Sequence, residues 1–380
     1  MSGDVKKYKI LITISELMYS SQVRNLCDLV SMLDKNRFDI EIGALATGDE
    51  AHDEVAKLGV KIYRLRLLPT RKFNFSNLID FAKSPFIIAF KQYHLVHSLL
   101  YQAPFTEPFF FKLLTRTKYV YTKSNLEWGN HPENWKWKCR LSDRIVSISA
   151  ATDKLLDEKG FGDKKAKIYL GIDTGHFKHS DQARSDMRAR YQIPDDAIVF
   201  GCAAQFIEWK EHLTVFSAFC RLADKYPNIY LLYCGPNHND AYYHEVVNEI
   251  NSSRYSDRVR MLGTLSDMPS FYSAIDCFVL ASRYETFGYV YVEAMSCHRP
   301  AIGCRVAGPL EIIDEGETGY HTKISDPDDL SAQMEKYLLA PELIERHGDA
   351  ARKRVIDLFS KETMARKTQE LYLEMLEGRG

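Results

Sequence analysis

The feature that most constrains the fold is a regular alternation of short apolar runs with longer helix-like stretches. Six runs rich in β-branched or apolar residues occur in the first half: Lys9–Ile14, Phe38–Leu45, Val60–Leu65, His94–Ser98, Lys118–Thr122 and Arg144–Ile148. Five more occur in the second half: Ala197–Ala203, Ile229–Tyr233, Arg258–Leu262, Asp276–Ala281 and Ala301–Cys304. Strands that alternate with helices form parallel βαβ units, so the chain is predicted to be an α/β protein with two doubly wound sheets.

The predicted organisation has two Rossmann-like domains and a C-terminal helix. Residues 1–178 form the first domain, residues 179–360 the second, and residues 361–380 a helix that packs back on the first. The boundary is placed where the polar stretch from Lys178 to Arg190 begins. Doubly wound sheets bind ligands where strands end and helices begin, so we expect two facing sheets with a cleft that holds one ligand from each side.

Composition and charge restrict the class of protein. Eight cysteines are scattered without a CxxC pair, which favours reduced thiols over disulfides or zinc sites. No secretion signal and no apolar run of membrane-spanning length is found, so cytoplasmic residence is expected. Residues 1–180 hold 28 Lys and Arg against 20 Asp and Glu, whereas the remainder holds 22 against 31. This division argues against an all-round basic, nucleic-acid-binding surface but allows one basic face on the first half.

The most specific motif directly follows the strand predicted over Asp276–Ala281. Residues 282–295 read Ser-Arg-Tyr-Glu-Thr-Phe-Gly-Tyr-Val-Tyr-Val-Glu-Ala-Met, with seven residues between Glu285 and Glu293. Gly288 is predicted to open a helix whose first N–H groups face an anion, and a glycine lets a diphosphate approach the backbone. Glu285 is expected to accept hydrogen bonds from sugar hydroxyls, and Glu293, about two turns along, from ribose hydroxyls. By contrast, no GxGxxG follows a strand and opens a helix, which disfavours a dehydrogenase.

The motif resembles the signature of the retaining GT-B glycosyltransferases of family 4, the glycosyl transferases group 1. The resemblance implies that Lys210 grips the donor diphosphate together with the backbone amides of the 287–289 segment. Gln205 stands where this family usually has an arginine, and Glu211 stands where a glycine follows the lysine. The residues that the resemblance places at the donor are Gln205, Lys210, Leu262, Thr264, Phe287, Gly288, Tyr289 and Glu293.

In the first domain the resemblance extends only to the order of the strands. The family usually has a Gly-Gly loop after its first strand, whereas this chain has Tyr19-Ser-Ser21-Gln, in which Ser21 is the predicted donor contact. The family often places a histidine near the transferred sugar, and here that strand ends in Lys123-Ser-Asn125. Asn125 is therefore a candidate catalytic residue beside Glu285 and Lys210. Other candidates for the histidine's role are Ser124, Glu127 and His131, and more weakly His94 and His97.

The resemblance implies a retaining glycosyltransferase (hexosyltransferase class, EC 2.4) in envelope polysaccharide or glycolipid biosynthesis. The donor is a nucleotide-diphosphate sugar, with a UDP-sugar favoured over GDP-mannose, and the acceptor is lipid-linked or a saccharide. No metal or other cofactor is expected, because lysine and helix amides can neutralise the diphosphate. Asp326-Pro-Asp328 is interpreted as a helix N-cap rather than a metal site. No nucleic acid is expected as a partner, and the oligomeric state stays open.

Two alternatives remain at this point. A nucleotide-sugar epimerase of the same fold would use the same donor site but release an epimer or a free sugar without an acceptor. A non-catalytic nucleotide-sugar-binding protein is favoured only by Gln205 and by the missing histidine.

A basic and apolar stretch bears on the acceptor. Residues 60–124 hold 11 Lys and Arg against only Asp80 and Glu107. Phenylalanine and leucine interleave these charges, as in Arg71-Lys72-Phe and in residues 85–90 and 109–114. Such a surface predicts peripheral contact with an anionic membrane and access to a lipid-linked acceptor, and the alternative is a groove for a soluble anionic acceptor.

Overall fold

The structure is a computed structural model that describes residues 6–17, 20–46, 49–65, 83, 84, 86, 88–100, 106–126, 134–237 and 241–378. The chain divides into two compact units. Unit 1 comprises Met1–Gly171 and Lys361–Gly380, and unit 2 comprises Ile172–Ser360.

Unit 1 contains a seven-stranded parallel sheet with the strand order β3-β2-β1-β4-β5-β6-β7. Its strands are β1 (Tyr8–Glu16), β2 (Phe38–Ala46), β3 (Lys61–Arg64), β4 (Leu95–Ser98), β5 (Lys118–Lys123), β6 (Arg144–Ser147) and β7 (Lys165–Lys167). Its first helices are α1 (Ser21–Met32), α2 (Asp49–Ala56), α3 (Thr106–Thr115), α4 (Asn134–Leu141) and α5 (Ala150–Glu158).

Both faces of this sheet are covered, and β1 shows why. Ile10 and Ile12 point into one apolar cluster with α1, whereas Leu11 points into a second cluster with Phe111 of α3 and Trp135 of α4. Successive side chains of a strand alternate between the two faces, so a strand with apolar side chains on both faces requires helices on both sides.

Unit 2 contains a six-stranded parallel sheet with the order β10-β9-β8-β11-β12-β13. Its strands are β8 (Ile198–Ala203), β9 (Ile229–Cys234), β10 (Val259–Met261), β11 (Cys277–Leu280), β12 (Ala301–Cys304) and β13 (Gly319–Thr322). Its helices are α6 (Asp181–Arg190), α7 (His212–Ala223), α8 (Ala241–Ser252), α9 (Met268–Ala274), α10 (Tyr289–Ser296), α11 (Ala307–Ile312), α12 (Pro327–Leu339) and α13 (Glu342–Phe359).

The last helix, α14 (Lys361–Glu377), packs in unit 1, where Met364, Leu371 and Tyr372 join the cluster under β1 and α1. The chain passes from unit 1 to unit 2 between Gly171 and Ile172, earlier than residue 178, the boundary expected from the sequence. Residues just after Ile172 are held by unit 2, since the Phe177 carbonyl accepts hydrogen bonds from Ser296 (2.6 Å) and Arg352 (2.7 Å).

The predicted pair of doubly wound α/β sheets is confirmed. Two strands were not predicted, β7 and β13, with the sequences Lys-Ala-Lys and Gly-Tyr-His-Thr. Each lies at a sheet edge and is only three or four residues long, so neither carries the apolar run that marks a buried strand. None of the helices in the described ranges is long and apolar enough to cross a bilayer.

Candidate active site

Lys210 lies in the connection from β8 to α7. A short 3-10 segment, Glu208–Lys210, ends at Glu211, whose backbone is left-handed with φ 58° and ψ 42°. The carbonyl of Trp209 accepts hydrogen bonds from the Arg283 N–H (2.8 Å) and from the Ser282 hydroxyl (3.2 Å). These bonds hold the Lys210 segment against the loop that follows β11.

Glu285 lies in that loop, three residues before Gly288, the N-cap of α10. Gly288 has φ 106°, and a Cβ there would lie 2.8 Å from the Tyr291 ring and 3.1 Å from Cγ of Glu285. Only glycine fits this close, left-handed position without strain. Gly288 has no side chain with which to cap the helix, and the Tyr291 N–H donates a hydrogen bond to the Gly288 carbonyl at 3.1 Å. The N-terminal end of a helix favours an anion.

The loop after β11 also contacts the first turn of α11, the helix that follows β12. The carbonyl of Glu285 accepts a hydrogen bond from the Gly308 N–H at 2.9 Å, and a Cβ on Gly308 would lie 1.7 Å from the Phe287 carbonyl oxygen. The Phe287 ring itself is buried against the rings of Tyr289 and Phe359. Phe287 therefore contributes its ring to packing, and what it can offer a ligand is its backbone.

Lys210 and Glu285 form an ion pair with each other. Nζ of Lys210 donates a hydrogen bond to Oε2 of Glu285 at 2.7 Å, and both side chains are 17% exposed. The sequence placed both residues at the substrate but did not predict this contact. Because the pair is partly exposed, a diphosphate can compete with Glu285 for the ammonium, and charge-assisted bonds of this kind are the strong ones.

A pocket of about 230 Å³ lies at the C-terminal ends of β8 and β9. Gln205, Thr264 and Glu293 line it, so the structure brings three predicted donor contacts into one cavity. Leu262 does not line this pocket and instead extends the pairing of β10, since its N–H donates to the Tyr233 carbonyl at 2.8 Å. The end of parallel strands is the edge at which doubly wound sheets bind ligands.

Gly235 lines the same pocket and was not predicted. A Cβ at this residue would lie 1.9 Å from the carbonyl oxygen of Ala204, and its φ is 152°. Its N–H donates to the Gly263 carbonyl at 2.9 Å, which joins the loops after β9 and β10. The sequence signal was a Gly-Pro pair directly after an apolar strand, where the chain turns at the ligand-binding edge.

Glu293 lies in the second turn of α10 and is buried. Its Oε2 accepts a hydrogen bond from the Tyr272 hydroxyl at 2.7 Å. Burial and the Glu293 charge raise the pKa of Tyr272 well above its usual value, so this hydroxyl stays a donor. A carboxylate has about four lone-pair sites, so one fixed by Tyr272 still has acceptor capacity for a ligand hydroxyl.

Ser21 and Asn125 lie in unit 1. Ser21 is the exposed first residue of α1, whose cap is Ser20. Asn125 follows β5, and its Oδ1 accepts a hydrogen bond at 2.8 Å from the buried Nζ of Lys123, which also bonds to the Asn125 carbonyl. An amide whose oxygen accepts from Lys123 presents its NH₂ group as the donor, so Asn125 is suited to donate rather than accept.

The histidines of this region are structural partners. His97 is buried between the hydroxyls of Tyr372 (2.6 Å) and Thr122 (2.7 Å), and burial, assisted by the Lys138 charge, lowers its pKa to about 3. Nδ1 of His94 accepts a hydrogen bond from the Lys9 N–H at 3.0 Å. Several residues named from the sequence lie outside the described ranges: Tyr19, Arg71, Lys72, Asp80, Glu127 and His131.

Acidic and thiol side chains show no metal-binding arrangement in the described ranges, where no group of three or more potential ligands converges. Asp326 accepts a hydrogen bond from the Asp329 N–H at 2.9 Å and caps α12. All eight cysteines are unpaired thiols.

Comparison with known proteins finds a family similarity within unit 2. Residues 183–354 match the family model described as glycosyl transferases group 1. The matched segment contains both residues of the Lys210–Glu285 pair and the residues that line the pocket. The resemblance to the glycosyl transferases group 1, predicted from the sequence, is confirmed.

Curated relatives are similar over part of their length. The lipopolysaccharide core biosynthesis glycosyltransferase LpsE of Rhizobium meliloti (strain 1021) is 27% identical over 248 residues, which cover 65% of this chain and 68% of that protein. The N-acetyl-alpha-D-glucosaminyl L-malate synthase of Bacillus anthracis is 26% identical over 210 residues, 55% of this chain and 53% of the relative. The matches therefore span about half to two thirds of the lengths of these relatives.

Solved structures extend the likeness in fold to nearly the whole chain. A glycosyltransferase from Rickettsia africae ESF-5 has a TM-score of 0.84 at 21% identity, covering 98% of this chain and 99% of that one. Anabaena HepE in complex with UDP has a TM-score of 0.83 at 19% identity, covering 96% and 99%. At these identities the likeness shows the fold, and the predicted GT-B fold is confirmed.

Proposed function

We propose that the chain transfers a sugar from a UDP-sugar to an acceptor hydroxyl with retention of anomeric configuration. The observation that carries this proposal is the partly exposed Lys210–Glu285 pair, 2.7 Å apart, in which Glu285 lies three residues before the N-cap glycine of α10. Two loops of unit 2 thus bring together a cation and a helix start for a diphosphate and a carboxylate for sugar hydroxyls.

Leaving-group stabilisation is the main catalytic contribution in this proposal. As the anomeric C–O bond to the diphosphate breaks, negative charge grows on the phosphate oxygens, and Lys210 and the amides at the start of α10 stabilise it. Removing one such preorganised donor typically costs about 3 kcal/mol in the transition state. Glu285, released from Lys210 by the diphosphate, then accepts hydrogen bonds from hydroxyls of the transferred sugar.

Proton transfer in this proposal needs no separate base. The acceptor oxygen attacks the sugar on the face that the diphosphate leaves, the new glycosidic bond forms, and the acceptor proton passes to a phosphate oxygen of the leaving group. Asn125 remains a proposed hydrogen-bond donor to the sugar or acceptor, in the place where this family often has a histidine.

The donor in this proposal is a UDP-sugar. In this proposal Glu293, which lines the pocket and is held by Tyr272, accepts hydrogen bonds from the ribose hydroxyls. The similar HepE structure holds UDP. Calorimetry with UDP and GDP tests this choice directly, and GDP binding tighter than UDP would overturn it.

We further propose that unit 1 contacts an anionic membrane and takes a lipid-linked acceptor. The helical residues 88–91 bury Ile88, and α3 buries Phe111, in the same cluster, and both elements also carry large apolar side chains that are exposed. Among these, Phe90 is 85% exposed and Leu113 66% exposed. Exposed basic residues near them in the sequence are Lys83, Arg116 and Lys118. Each such residue contributes about 1 kcal/mol to binding near an anionic leaflet, and inserted apolar side chains add to the binding.

Flotation with vesicles of anionic phospholipid, at low and high salt, tests the membrane proposal. We expect binding at low salt that weakens in Phe90→Ser and persists in Leu339→Ser, a matched control because Leu339 of unit 2 is 68% exposed. Wild-type protein that fails to float at low salt would overturn the membrane proposal.

Product analysis with radiolabelled UDP-sugars, with and without a lipid extract, tests the reaction. An acceptor-dependent product with retained configuration supports the proposal. Release of an epimer or free sugar without acceptor would instead support an epimerase, and binding without any turnover a non-catalytic binding protein.

A further inference from the structure

Glu211, the residue after Lys210, has an unusual backbone conformation. Its φ of 58° and ψ of 42° lie in the left-handed region, where residues with a Cβ are strained and glycine is favoured. A glutamate here requires compensating contacts or a function for its side chain.

The carboxylate of Glu211 makes three contacts, each to a different segment. Oε1 lies 3.0 Å from Nε of Arg283 in the loop after β11 and accepts a hydrogen bond from the Ser325 hydroxyl, after β13, at 3.0 Å. Oε2 accepts a hydrogen bond from Thr214 in the first turn of α7. The Glu211 side chain is 13% exposed, whereas the Arg283 side chain is 41% exposed, so the ion pair is partly open to water.

These contacts flank the Lys210–Glu285 pair. On one side of Lys210, the Trp209 carbonyl accepts from the Arg283 N–H at 2.8 Å, and on the other side Glu211 pairs with the Arg283 side chain. Arg283, two residues before Glu285, therefore contacts the Lys210 segment through a backbone hydrogen bond and through an ion pair of its guanidinium, whose Nε makes no hydrogen bond within the described part of the chain. Lys210 and Glu285 lie in two loops that are far apart in the sequence. Noncovalent contacts between these loops therefore set the distance between the two side chains.

We infer that Glu211 is a positioning residue that, through Arg283, holds the Lys210 ammonium and the Glu285 carboxylate in register for the donor diphosphate. This inference deepens the proposed function and rests on it. Glu211 does not touch the donor. Its own charge is balanced by Arg283, so it does not repel the diphosphate.

Replacement by glycine separates this role from simple stability. Glu211→Gly removes the carboxylate but suits the left-handed backbone, so the melting temperature is expected to stay the same or rise. The matched control is Gln192→Gly, because Gln192 is an exposed residue of unit 2 with φ 54° outside the site. Both variants relieve the same backbone strain, and only Glu211→Gly removes the contact to Arg283.

The deciding measurement is amide hydrogen exchange in the ligand-free protein. We expect exchange over residues 282–285 to accelerate about tenfold in Glu211→Gly and to stay unchanged in Gln192→Gly, since local opening reports lost tertiary contacts. Unchanged exchange over 282–285 in Glu211→Gly would overturn the inference, whatever ligand the protein binds.

UDP calorimetry supplies the functional readout. Glu211→Gly is expected to bind UDP about fivefold more weakly, and Glu211→Gln, which keeps an acceptor for Ser325, to recover part of the loss. Adding Arg283→Gln to Glu211→Gly should cause little further loss, whereas multiplied effects would sink the route through Arg283. Lys210→Ala is the reference: if it binds UDP like the wild type, the proposed donor site itself is wrong, and the exchange result still decides the role of Glu211.

Discussion

The C-terminal edges of the two sheets each carry a lysine–glutamate pair, and the two pairs differ in exposure. In unit 1, Nζ of Lys138 lies 3.0 Å from Oε2 of Glu107 and both side chains are 0% exposed. In unit 2, Lys210 and Glu285 are 2.7 Å apart and 17% exposed. The residue types and distances are nearly the same, but only the second pair is open to a ligand.

Polar neighbours complete the difference. Glu107 also accepts hydrogen bonds from Ser98 (2.8 Å) and Tyr119 (2.7 Å), and Lys138 donates to Ser98 at 2.7 Å. Burial lowers the pKa of Lys138, and the Glu107 charge opposes that fall. The unit 1 pair thus belongs to a closed network that joins β4, β5, α3 and α4. Exposure and the number of competing partners, rather than the residue types, decide which pair can exchange its partner for a substrate.

The largest expected effect is on stability, from breaking the closed pair. Glu107→Gln leaves the Lys138 ammonium buried without a counter-charge, which should lower the free energy of unfolding by about 3–5 kcal/mol. Chemical denaturation measures it. Glu158→Gln is the control, because the Lys154–Glu158 pair is exposed on a helix surface and should cost less than about 1 kcal/mol. Equal losses in both variants would contradict the comparison.

The open pair should respond in activity instead. Lys210→Ala is expected to lower kcat/KM about a hundredfold, because it removes one preorganised donor to the leaving diphosphate, with little change in unfolding free energy. Steady-state kinetics with the donor, together with a denaturation curve, checks both parts. Lys225→Ala, which removes an exposed lysine in the turn after α7 that pairs with Glu335, should retain the wild-type rate. A large loss of stability with an unchanged rate would reverse the assignment of the two pairs.

Acid should destabilise the protein through the buried His97 of unit 1. The pKa of His97 is lowered to about 3, so the folded state binds fewer protons than the unfolded state, whose histidine has a pKa near 6.5. Stability from this residue is therefore present above pH 6.5 and is lost as the pH falls, by about 2 kcal/mol between pH 7 and pH 5. Denaturation at the two pH values measures the loss, and His97→Gln should flatten it. A pH dependence that is the same in His97→Gln as in the wild type would assign the acid sensitivity to other groups.

The smallest effect expected here comes from Glu285→Gln. The glutamine keeps an acceptor oxygen near Lys210 but loses the charge that strengthens bonds to sugar hydroxyls, so kcat should fall at least about tenfold while the fold persists. Glu208→Gln, an exposed residue of the neighbouring 3-10 segment, is the matched control. An unchanged rate in Glu285→Gln would remove Glu285 from the reacting site.

Much of the fold could be predicted from the sequence because the patterns that indicate strands and helices are local. Apolar runs of strand length located eleven of the strands, whereas β7 and β13 form only by pairing with a neighbour at a sheet edge. The donor site was partly readable for the same reason, since Glu285, Gly288 and Glu293 lie in one short motif after a buried strand. The pocket glycine Gly235 was missed because its close approach to Ala204 joins segments that are far apart in the chain.

The sequence by itself determined the alternation of strands and helices, the left-handed glycine at the start of α10, and the residue types available to a diphosphate. Only the tertiary structure decided that Lys210 pairs with Glu285, that Tyr272 holds Glu293, and that Glu211 reaches Arg283. The physical reason is that periodicity and backbone preference act within a few residues, whereas exposure and ion pairing depend on how distant segments pack. Two lysine–glutamate pairs with similar N–O distances therefore consist of the same residue types. One belongs to a structural network in unit 1, and the other to a candidate active site in unit 2.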